Sequence, residues 1–170
     1  YFVSHRLHLA RAAQAAGYEV VVVTRPSDRV AEIEASGIRV VPVRFARRPW
    51  SQPFNLATLM TLAGIYRRER PDICHHVSFL PIVFGSAAAR LARIDAAIVN
   101  AVTGLGAAFI PGRTSGMLRA LVRRGYAVSL RRGWTVFQNE DDRDELLPEG
   151  ASARARSRVV HGSGVDLERF

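Results

Sequence analysis

The sequence has 170 residues, of which 48% are hydrophobic and 23% are charged. This balance is typical of a folded globular domain and excludes an intrinsically disordered chain. The formal net charge is +9 and the sequence contains arginine but no lysine, so a partner with phosphate or other anionic groups is favoured. The codon usage of a GC-rich genome explains the missing lysines equally well.

Simple features of the sequence disfavour several classes of protein. Cys74 is the single cysteine, so neither a disulfide framework nor a cysteine-rich metal site can form within this chain. No apolar run approaches the roughly 20 residues of a transmembrane helix, and no signal-peptide pattern is visible. Tyr1 is followed at once by a helical pattern, so we expect further residues before it.

Helical and strand patterns alternate along the chain. Strands are predicted at 19–24, 38–43, 72–78, 96–102, 134–138 and 157–161. Helices are predicted at 4–16, 28–36, 55–70, 81–92, 117–132 and 139–147. The unbroken valines at 20–23 are typical of a strand that is buried on both faces. The alternation predicts an α/β fold with a Rossmann-like, doubly wound parallel sheet and right-handed crossovers.

A single domain is the simplest organisation, since no repeat or low-complexity tract interrupts the pattern. A doubly wound sheet normally begins with a strand, whereas this sequence begins with the helix that should follow that strand. We therefore expect the first strand and the loop after it to be missing from this sequence.

Ligands of open α/β sheets bind beyond the carboxyl ends of the strands, so the residues after each predicted strand are the candidates for a site. They are Thr24 and Arg25, 75–79, 103–109, Gln138 and Asn139, and 161–164. Glycines and hydroxyl side chains are concentrated there, which is consistent with backbone amides that approach an anion or a sugar.

Two glycine motifs, GLGAAF at 104–109 and GSGVDL at 162–167, resemble part of a dinucleotide-binding fingerprint. Each lacks the third glycine, and neither follows the first strand. A dinucleotide site is therefore disfavoured, and ordinary turn chemistry explains Gly104 and Gly106 as well as a functional role does.

Two other groups of residues suggest a metal site only at first sight. His75 and His76 are adjacent in a predicted strand, where successive side chains point to opposite faces of the sheet. One histidine packed under a helix and the other at a cleft is favoured over a metal pair. The acidic run 140–145 follows Asn139, and acids are favoured in the first turn of a capped helix. No metal is expected.

The predicted helix 117–132 carries five arginines around apolar residues. Such a helix can lie on anionic lipid, but in a doubly wound fold its apolar face normally packs on the sheet. Packing with a solvated basic rim is favoured for the helix. Nucleic-acid binding is a weaker alternative, because the sequence has no recognised nucleic-acid-binding module.

Five stretches, in this order and spacing, resemble the N-terminal domain of family 4 glycosyltransferases: FVSHRLHLARAAQAAGYEVVVVT, RRERPDICHHVS, VNAVTGLG, VFQNEDDRDELL and GSGVDLERF. The bacterial branch that builds lipopolysaccharide, capsule or exopolysaccharide is the most similar. The resemblance implies a GT-B fold, in which two Rossmann-like domains face each other across a cleft. Residues 1–161 then form the acceptor-side domain, and 162–170 begin the linker to a C-terminal, donor-binding domain outside this sequence.

The resemblance also bears on individual residues. His75 matches a histidine often found at the end of its strand, and Thr103, Gly104 and Gly106 match the cleft loop after the next strand. With the other residues beyond the strand ends, the candidates for binding the acceptor are His75, Ser78, Thr103, Gly104, Gly106, Gln138 and Asn139, and those for a donor-side hinge are Gly162, Ser163 and Gly164. Many family relatives carry a histidine near the position of Thr103, and relatives of this branch often carry a lysine where this chain has Leu80. No side chain is assigned as a catalytic base.

The implied function is transfer of a sugar, with retention of configuration, from a nucleotide-sugar donor to a lipid-linked saccharide. We expect a cytoplasmic protein that contacts the anionic inner face of the cell membrane peripherally. No cofactor, metal or nucleic acid is expected, since the nucleotide-sugar is a substrate, and this chain alone is expected to be inactive. The alternative is a non-catalytic α/β domain that binds phosphate or nucleic acid. A C-terminal domain with an E-x7-E motif in the full-length gene would favour the glycosyltransferase.

Overall fold

A computed structural model describes residues 2–44, 52–105, 109 and 115–162. The described residues divide into two compact units, an N-terminal unit of residues 2–44 and a second unit of residues 52–162. Every strand pairing in the described residues is parallel, and helices alternate with the strands. The predicted α/β, Rossmann-like fold is therefore confirmed.

The N-terminal unit contains a two-stranded parallel sheet and three helices. In chain order its elements are α1 Phe2–His5, α2 Leu7–Ala15, β1 Val21–Thr24, α3 Val30–Glu34 and β2 Arg39–Pro42. Apolar side chains from the helices and β1, among them Leu7, Val22 and Ile33, form its core. The predicted single helix 4–16 is wrong, because Arg6 has a φ of −134°, outside the helical range, and separates α1 from α2.

The second unit contains a four-stranded parallel sheet in the order β3-β4-β5-β6. Its elements are α4 Gln52–Glu69, β3 Ile73–Val77, α5 Phe79–Ala92, β4 Ala97–Val102, α6 Gly116–Ser129, β5 Trp134–Phe137, α7 Glu140–Leu146, a 3-10 turn Arg154–Arg156 and β6 Ser157–Val159. The order and parallel direction place all four carboxyl ends at one edge of this sheet. Loops that follow these strands therefore share that edge.

The core of the second unit lies between the sheet and helices α5, α6 and α7. Tyr126, Phe137 and Val102 are almost completely buried in it. The Tyr126 and Phe79 rings lie 5.0 Å apart. A Cβ at Gly125 would lie only 3.2 Å from the Phe79 ring, so this glycine lets α6 approach α5 closely.

Several helix boundaries differ from the predictions, and two of the differences have a clear physical reason. Helix α5 begins at Phe79 instead of Pro81, because a proline in the first turn interrupts no helical hydrogen bond. Helix α6 ends at Ser129 instead of residue 132, before Gly133, whose φ is +83°.

In the described part of the chain, no helix has both the length and the apolar character needed to cross a membrane.

Candidate functional site

The candidate site lies at the carboxyl edge of the four-stranded sheet, where two hydroxyl residues meet. Ser78 follows β3 and Thr103 follows β4, the neighbouring strand. The Ser78 backbone N–H donates to the Ala101 carbonyl at 3.0 Å and so extends the pairing of the two strands. The Ser78 Oγ and the Thr103 Oγ1 are 2.9 Å apart and form a hydrogen bond. The structure therefore brings together two residues that are 25 positions apart in the sequence.

The backbone of Ser78 has an unusual conformation. Its φ of 71° and ψ of 168° lie in a region that glycine adopts readily and other residues rarely do. Holding a serine there costs on the order of 1–3 kcal/mol. Its carbonyl accepts from the Ile82 N–H at 3.0 Å, but its side chain makes no hydrogen bond to the start of α5. The hydroxyl is directed to Thr103 instead of capping the helix.

The loop after Thr103 is open where it leaves the sheet. Gly104 has a φ of +120°, and a Cβ built on it would meet no atom within 4 Å. Leu105 is half-buried and packs against the core. Gly106 lies outside the described residues. The beginning of this loop therefore combines a hydroxyl, exposed backbone and free space.

Asn139, at the end of β5, caps α7 as predicted. Its Oδ1 accepts from the Asp142 N–H at 2.7 Å, and its Nδ2 donates to the Asp142 Oδ2 at 3.1 Å. The acidic run 140–145 lies entirely in this helix, which supports its structural interpretation. Gln138 is half-buried beside the cap. Substrate contacts by either residue stay predictions, and in Asn139 the side chain already has a structural role.

The two adjacent histidines lie on opposite faces of β3, as predicted. His75 is exposed and His76 is buried. A Cβ at Gly85 of α5 would lie about 2.5 Å from the His76 ring, so this histidine packs under the helix. Among the described residues, no three histidine, cysteine, aspartate or glutamate side chains are grouped closely enough to hold a metal ion.

His76 is held by two hydrogen bonds in the interior. Its Nε2 lies 2.9 Å from the Tyr66 hydroxyl, and its Nδ1 lies 3.0 Å from the Asn100 Oδ1. Because Oδ1 can only accept, Nδ1 carries the proton and Tyr66 donates to Nε2. Burial lowers the pKa of His76 to about 4, although the Asn100 hydrogen bond opposes this shift. The imidazole is therefore neutral at pH 7.

Burial also raises the pKa of the groups around His76. The pKa of the Tyr66 hydroxyl is raised mainly by burial and further by Cys74, and the pKa of Cys74 is raised by burial to about 11. All three groups are uncharged at neutral pH, so Cys74 is not an activated nucleophile. These three buried side chains, His76, Tyr66 and Cys74, support the end of β3 just before Ser78.

Sequence reasoning missed Tyr66 and Asn100, the partners of His76. A signal existed for Asn100, which is a polar residue in the middle of an apolar strand. It stands opposite His76 in the β3–β4 register. Tyr66 lies on α4, and its contact with His76 depends on how that helix packs.

Of the predicted hinge residues, Gly162 has a φ of +73°, while Ser163 and Gly164 lie outside the described residues.

Helix α6 packs on the second unit as predicted, with a basic side. Val122 and Tyr126 are buried in the core. Arg119 and Arg123 reach Glu145 of α7 at 3.0 and 3.4 Å. The Arg119 guanidinium also lies 5.3 Å from the centre of the Phe109 ring. These contacts attach one side of α6 to the fold.

The solvent-exposed side of α6 also carries apolar side chains. Met117 is 83% exposed, Leu121 48% and Val128 40%. Their spacing of four and seven residues places them on one stripe of the helix, and the exposed Arg124 falls between them. Arg124 makes no ion pair within the described part of the chain. We refer to Met117, Leu121, Arg124 and Val128 as the outer stripe of α6.

Parallel strands that alternate with helices define a Rossmann-like α/β fold. The Glycosyl transferase 4-like family model matches residues 2–131, and the chain belongs to this family. A glycosyltransferase from Rickettsia africae has a similar solved structure, with a TM-score of 0.67 and 15% sequence identity over 91% of this chain. At that identity the similarity shows the fold alone. The chain spans 37% of the length of that protein. No curated protein matches the sequence significantly.

Proposed function

We propose that this chain is the acceptor-side part of a retaining glycosyltransferase with the GT-B fold. The enzyme would transfer a sugar from a nucleotide-sugar to a lipid-linked saccharide during synthesis of a bacterial surface polysaccharide. Membership of the glycosyltransferase 4-like family over residues 2–131 is the observation that carries this proposal. The Ser78–Thr103 pair at the carboxyl edge of the sheet supports it independently.

The carboxyl edge suits the recognition of a sugar. The hydroxyls of Ser78 and Thr103 each combine a donor with acceptor lone pairs, and their mutual hydrogen bond leaves further capacity for a ligand. Free space beside Gly104 leaves room for a pyranose ring to approach the backbone. We therefore assign acceptor binding to Ser78, Thr103 and Gly104, with His75, Gly106, Gln138 and Asn139 as further candidates.

The proposed reaction needs no catalytic base from this chain. The bond from the anomeric carbon to the donor phosphate oxygen breaks, and the acceptor hydroxyl oxygen bonds to that carbon on the same face. The proton of the acceptor hydroxyl passes to the departing phosphate oxygen. The part of this chain would be to hold the acceptor hydroxyl in position, which lowers the entropic cost of the step. Charges that stabilise the leaving phosphate would come from the donor-binding domain.

The outer stripe of α6 supports a peripheral contact with the membrane. Three exposed apolar side chains could enter the interface of a bilayer while Arg124 pairs with an anionic headgroup. A protein net charge of +9 favours the same surface. Such a contact would place the candidate site near a lipid-linked acceptor.

A direct test of the proposal is transfer by the full-length protein. We would incubate it with a panel of UDP-, GDP- and TDP-sugars and lipid-linked saccharides, and follow the formation of product by mass spectrometry. The proposal expects transfer for at least one pair, with a product whose anomeric configuration, read by NMR, equals that of the donor. Inverted configuration would contradict the retaining reaction, and anion binding without any transfer would favour the non-catalytic alternative.

A further inference from the structure

A second candidate binding site lies at the opposite, amino-terminal edge of the four-stranded sheet. A groove of about 630 Å³ opens there between the ends of α5 and α6, beside the beginnings of β4 and β5. This volume falls within the roughly 300–1,000 Å³ typical of small-molecule sites. Its lining includes Arg90, Arg93, Arg132 and the half-exposed ring of Trp134. Because the strands are parallel, the groove is remote from Ser78 and Thr103.

The side chains that line the groove carry a net positive charge. Its lining contains three arginines and one acidic residue, Asp95, which leaves two net positive charges. The carboxyl ends of α5 and α6 together contribute about one negative charge. Two further arginines stand beside the groove: Arg156 donates to the Arg131 carbonyl at 2.7 Å, and the Arg158 guanidinium lies 5.4 Å from the Trp134 ring centre. The balance favours an anionic ligand.

Two of the lining guanidiniums are available for such a ligand. Arg90 donates to the Val128 carbonyl at 3.1 Å and thereby connects α5 to α6. Arg93 and Arg132 are exposed and make no side-chain hydrogen bond or ion pair within the residues that the structure describes. Arg93 also has a φ of 54°, the left-handed conformation in which glycine usually ends a helix. An arginine held there at a cost of about 1 kcal/mol is consistent with a use for its guanidinium.

The groove is a built feature of the fold. Gly133, with a φ of +83°, packs so closely on β4 that a Cβ would collide with the Ile98 carbonyl. This contact fixes the turn that carries Arg132. Ser86 also belongs to the lining, is 6% exposed, and has a buried Oγ without a partner among the described residues. A buried hydroxyl of this kind normally has a hydrogen-bond partner, such as a ligand or an ordered water.

We propose that this groove binds a small molecule that carries two adjacent phosphate groups. Arg93 and Arg132 are the principal residues that contact these phosphates. Each guanidinium forms a planar fork that matches one phosphate, so two of them suit a diphosphate better than a single phosphate. Trp134 offers an apolar surface to the rest of the molecule. The diphosphate could belong to a soluble compound or to a lipid headgroup.

The test is calorimetric titration of the full-length protein with sodium pyrophosphate at low ionic strength. We expect micromolar binding that weakens at least about tenfold when R93G and R132Q are combined. Arg93→Gly removes the guanidinium and suits the left-handed backbone, so loss of folding does not explain lost binding. Arg70→Gly is the matched control, because Arg70 is exposed, has a φ of 44° and lies outside the groove lining. Its affinity should stay within about twofold of the wild type.

The outcomes separate a specific site from general attraction to a basic surface. Undetectable pyrophosphate binding, equal affinity for sulfate, or an equal loss in R70G would each overturn the proposal. Vesicles that contain a diphosphate lipid provide the second arm. Retention on them that depends on Arg93 and Arg132 would support a lipid source, and pyrophosphate binding without such retention would support a soluble one. Neither arm depends on glycosyl transfer.

Discussion

Ser78 and Thr103 share a hydrogen bond of 2.9 Å between their hydroxyls, immediately beyond the ends of two neighbouring parallel strands. Ser78 makes this contact from a backbone conformation that is energetically unfavourable for every residue except glycine. The hydroxyl is thus positioned at an energetic cost, and residues with such backbone strain are enriched at active sites and ligand-binding sites.

Replacing Ser78 separates its backbone strain from its hydroxyl. Ser78→Ala removes only the hydroxyl, whereas Ser78→Gly also relieves the strained φ. We expect the glycine variant to be more stable than the alanine variant by about 1 kcal/mol, after the greater chain entropy of glycine is counted. Urea denaturation measures the difference. An alanine variant as stable as the glycine variant would show that the backbone is unstrained there.

Gly104→Ala should lower acceptor turnover more than its effect on stability explains. The new Cβ enters open space, so its structural cost comes only from the φ of +120°, on the order of 1–2 kcal/mol. The methyl group would occupy the space that we assign to the sugar. Gly150→Ala is the matched control, because Gly150 also has a positive φ and no atom within 4 Å of a built Cβ. We expect the two variants to have similar shifts in melting temperature, and only Gly104→Ala to lose activity. Equal activities in the two variants would contradict the assignment.

His76 should make stability depend on pH in the acidic range. Its pKa is about 4 in the folded state and about 6.5 when unfolded, so the unfolded state binds more protons between these values. The free energy of unfolding should therefore fall as the pH drops from 6.5 to 4, by up to about 3 kcal/mol from this residue. Tyr66 and Cys74 stay protonated over this range, because their ordinary pKa values already lie above it and burial raises both further.

Substitution isolates this contribution of His76. His76→Gln removes the titrating group while keeping hydrogen-bonding capacity toward Tyr66 and Asn100. We expect the variant to be less stable at pH 7 but to lose less of its stability between pH 6.5 and 4. Parallel pH profiles for the variant and the wild type, measured by chemical denaturation, would show that His76 does not titrate as described.

The outer stripe of α6 should mediate binding to anionic vesicles. Leu121→Gln should weaken this binding severalfold, because it removes apolar surface from the interface. Leu56→Gln on α4 is the control, since Leu56 is 61% exposed and lies outside the stripe. Higher salt should weaken binding by the wild type. Equal binding to neutral and anionic vesicles in a sedimentation assay would rule out the electrostatic part of this contact.

Much of the fold was predictable because strand and helix patterns depend on local sequence. The runs around Val22 and Val99 have the length and composition of parallel strands, and the structure confirms both strands. The burial expected for the valines at 20–23 is found only at Val22, because the other three are half-buried in a sheet of two strands. The break at Arg6 and the early start of α5 at Phe79 were not predictable in this way. Both depend on the backbone conformation of single residues, which hydrophobic periodicity does not report.

The candidate site was predictable only in part. The rule that ligands lie beyond carboxyl strand ends selected Ser78 and Thr103 from the sequence. Their hydrogen bond depends on the register of β3 against β4, which side-chain pattern alone does not determine. The Tyr66 contact to His76 was hidden for a similar reason, because it depends on the packing of α4 against the sheet.

The central claim is that the carboxyl edge at Thr103 holds the acceptor, and steady-state kinetics of Thr103→Val in the full-length enzyme tests it most directly. The concentrations of donor and lipid-linked acceptor would be varied separately. Thr61→Val is the control, because Thr61 is exposed on α4 and its hydroxyl, within the described residues, donates only to the Ala57 carbonyl. We predict a KM for the acceptor that rises about tenfold or more, an unchanged KM for the donor and wild-type behaviour of the control. A raised KM for the donor with an unchanged KM for the acceptor would contradict the assignment of this edge to the acceptor.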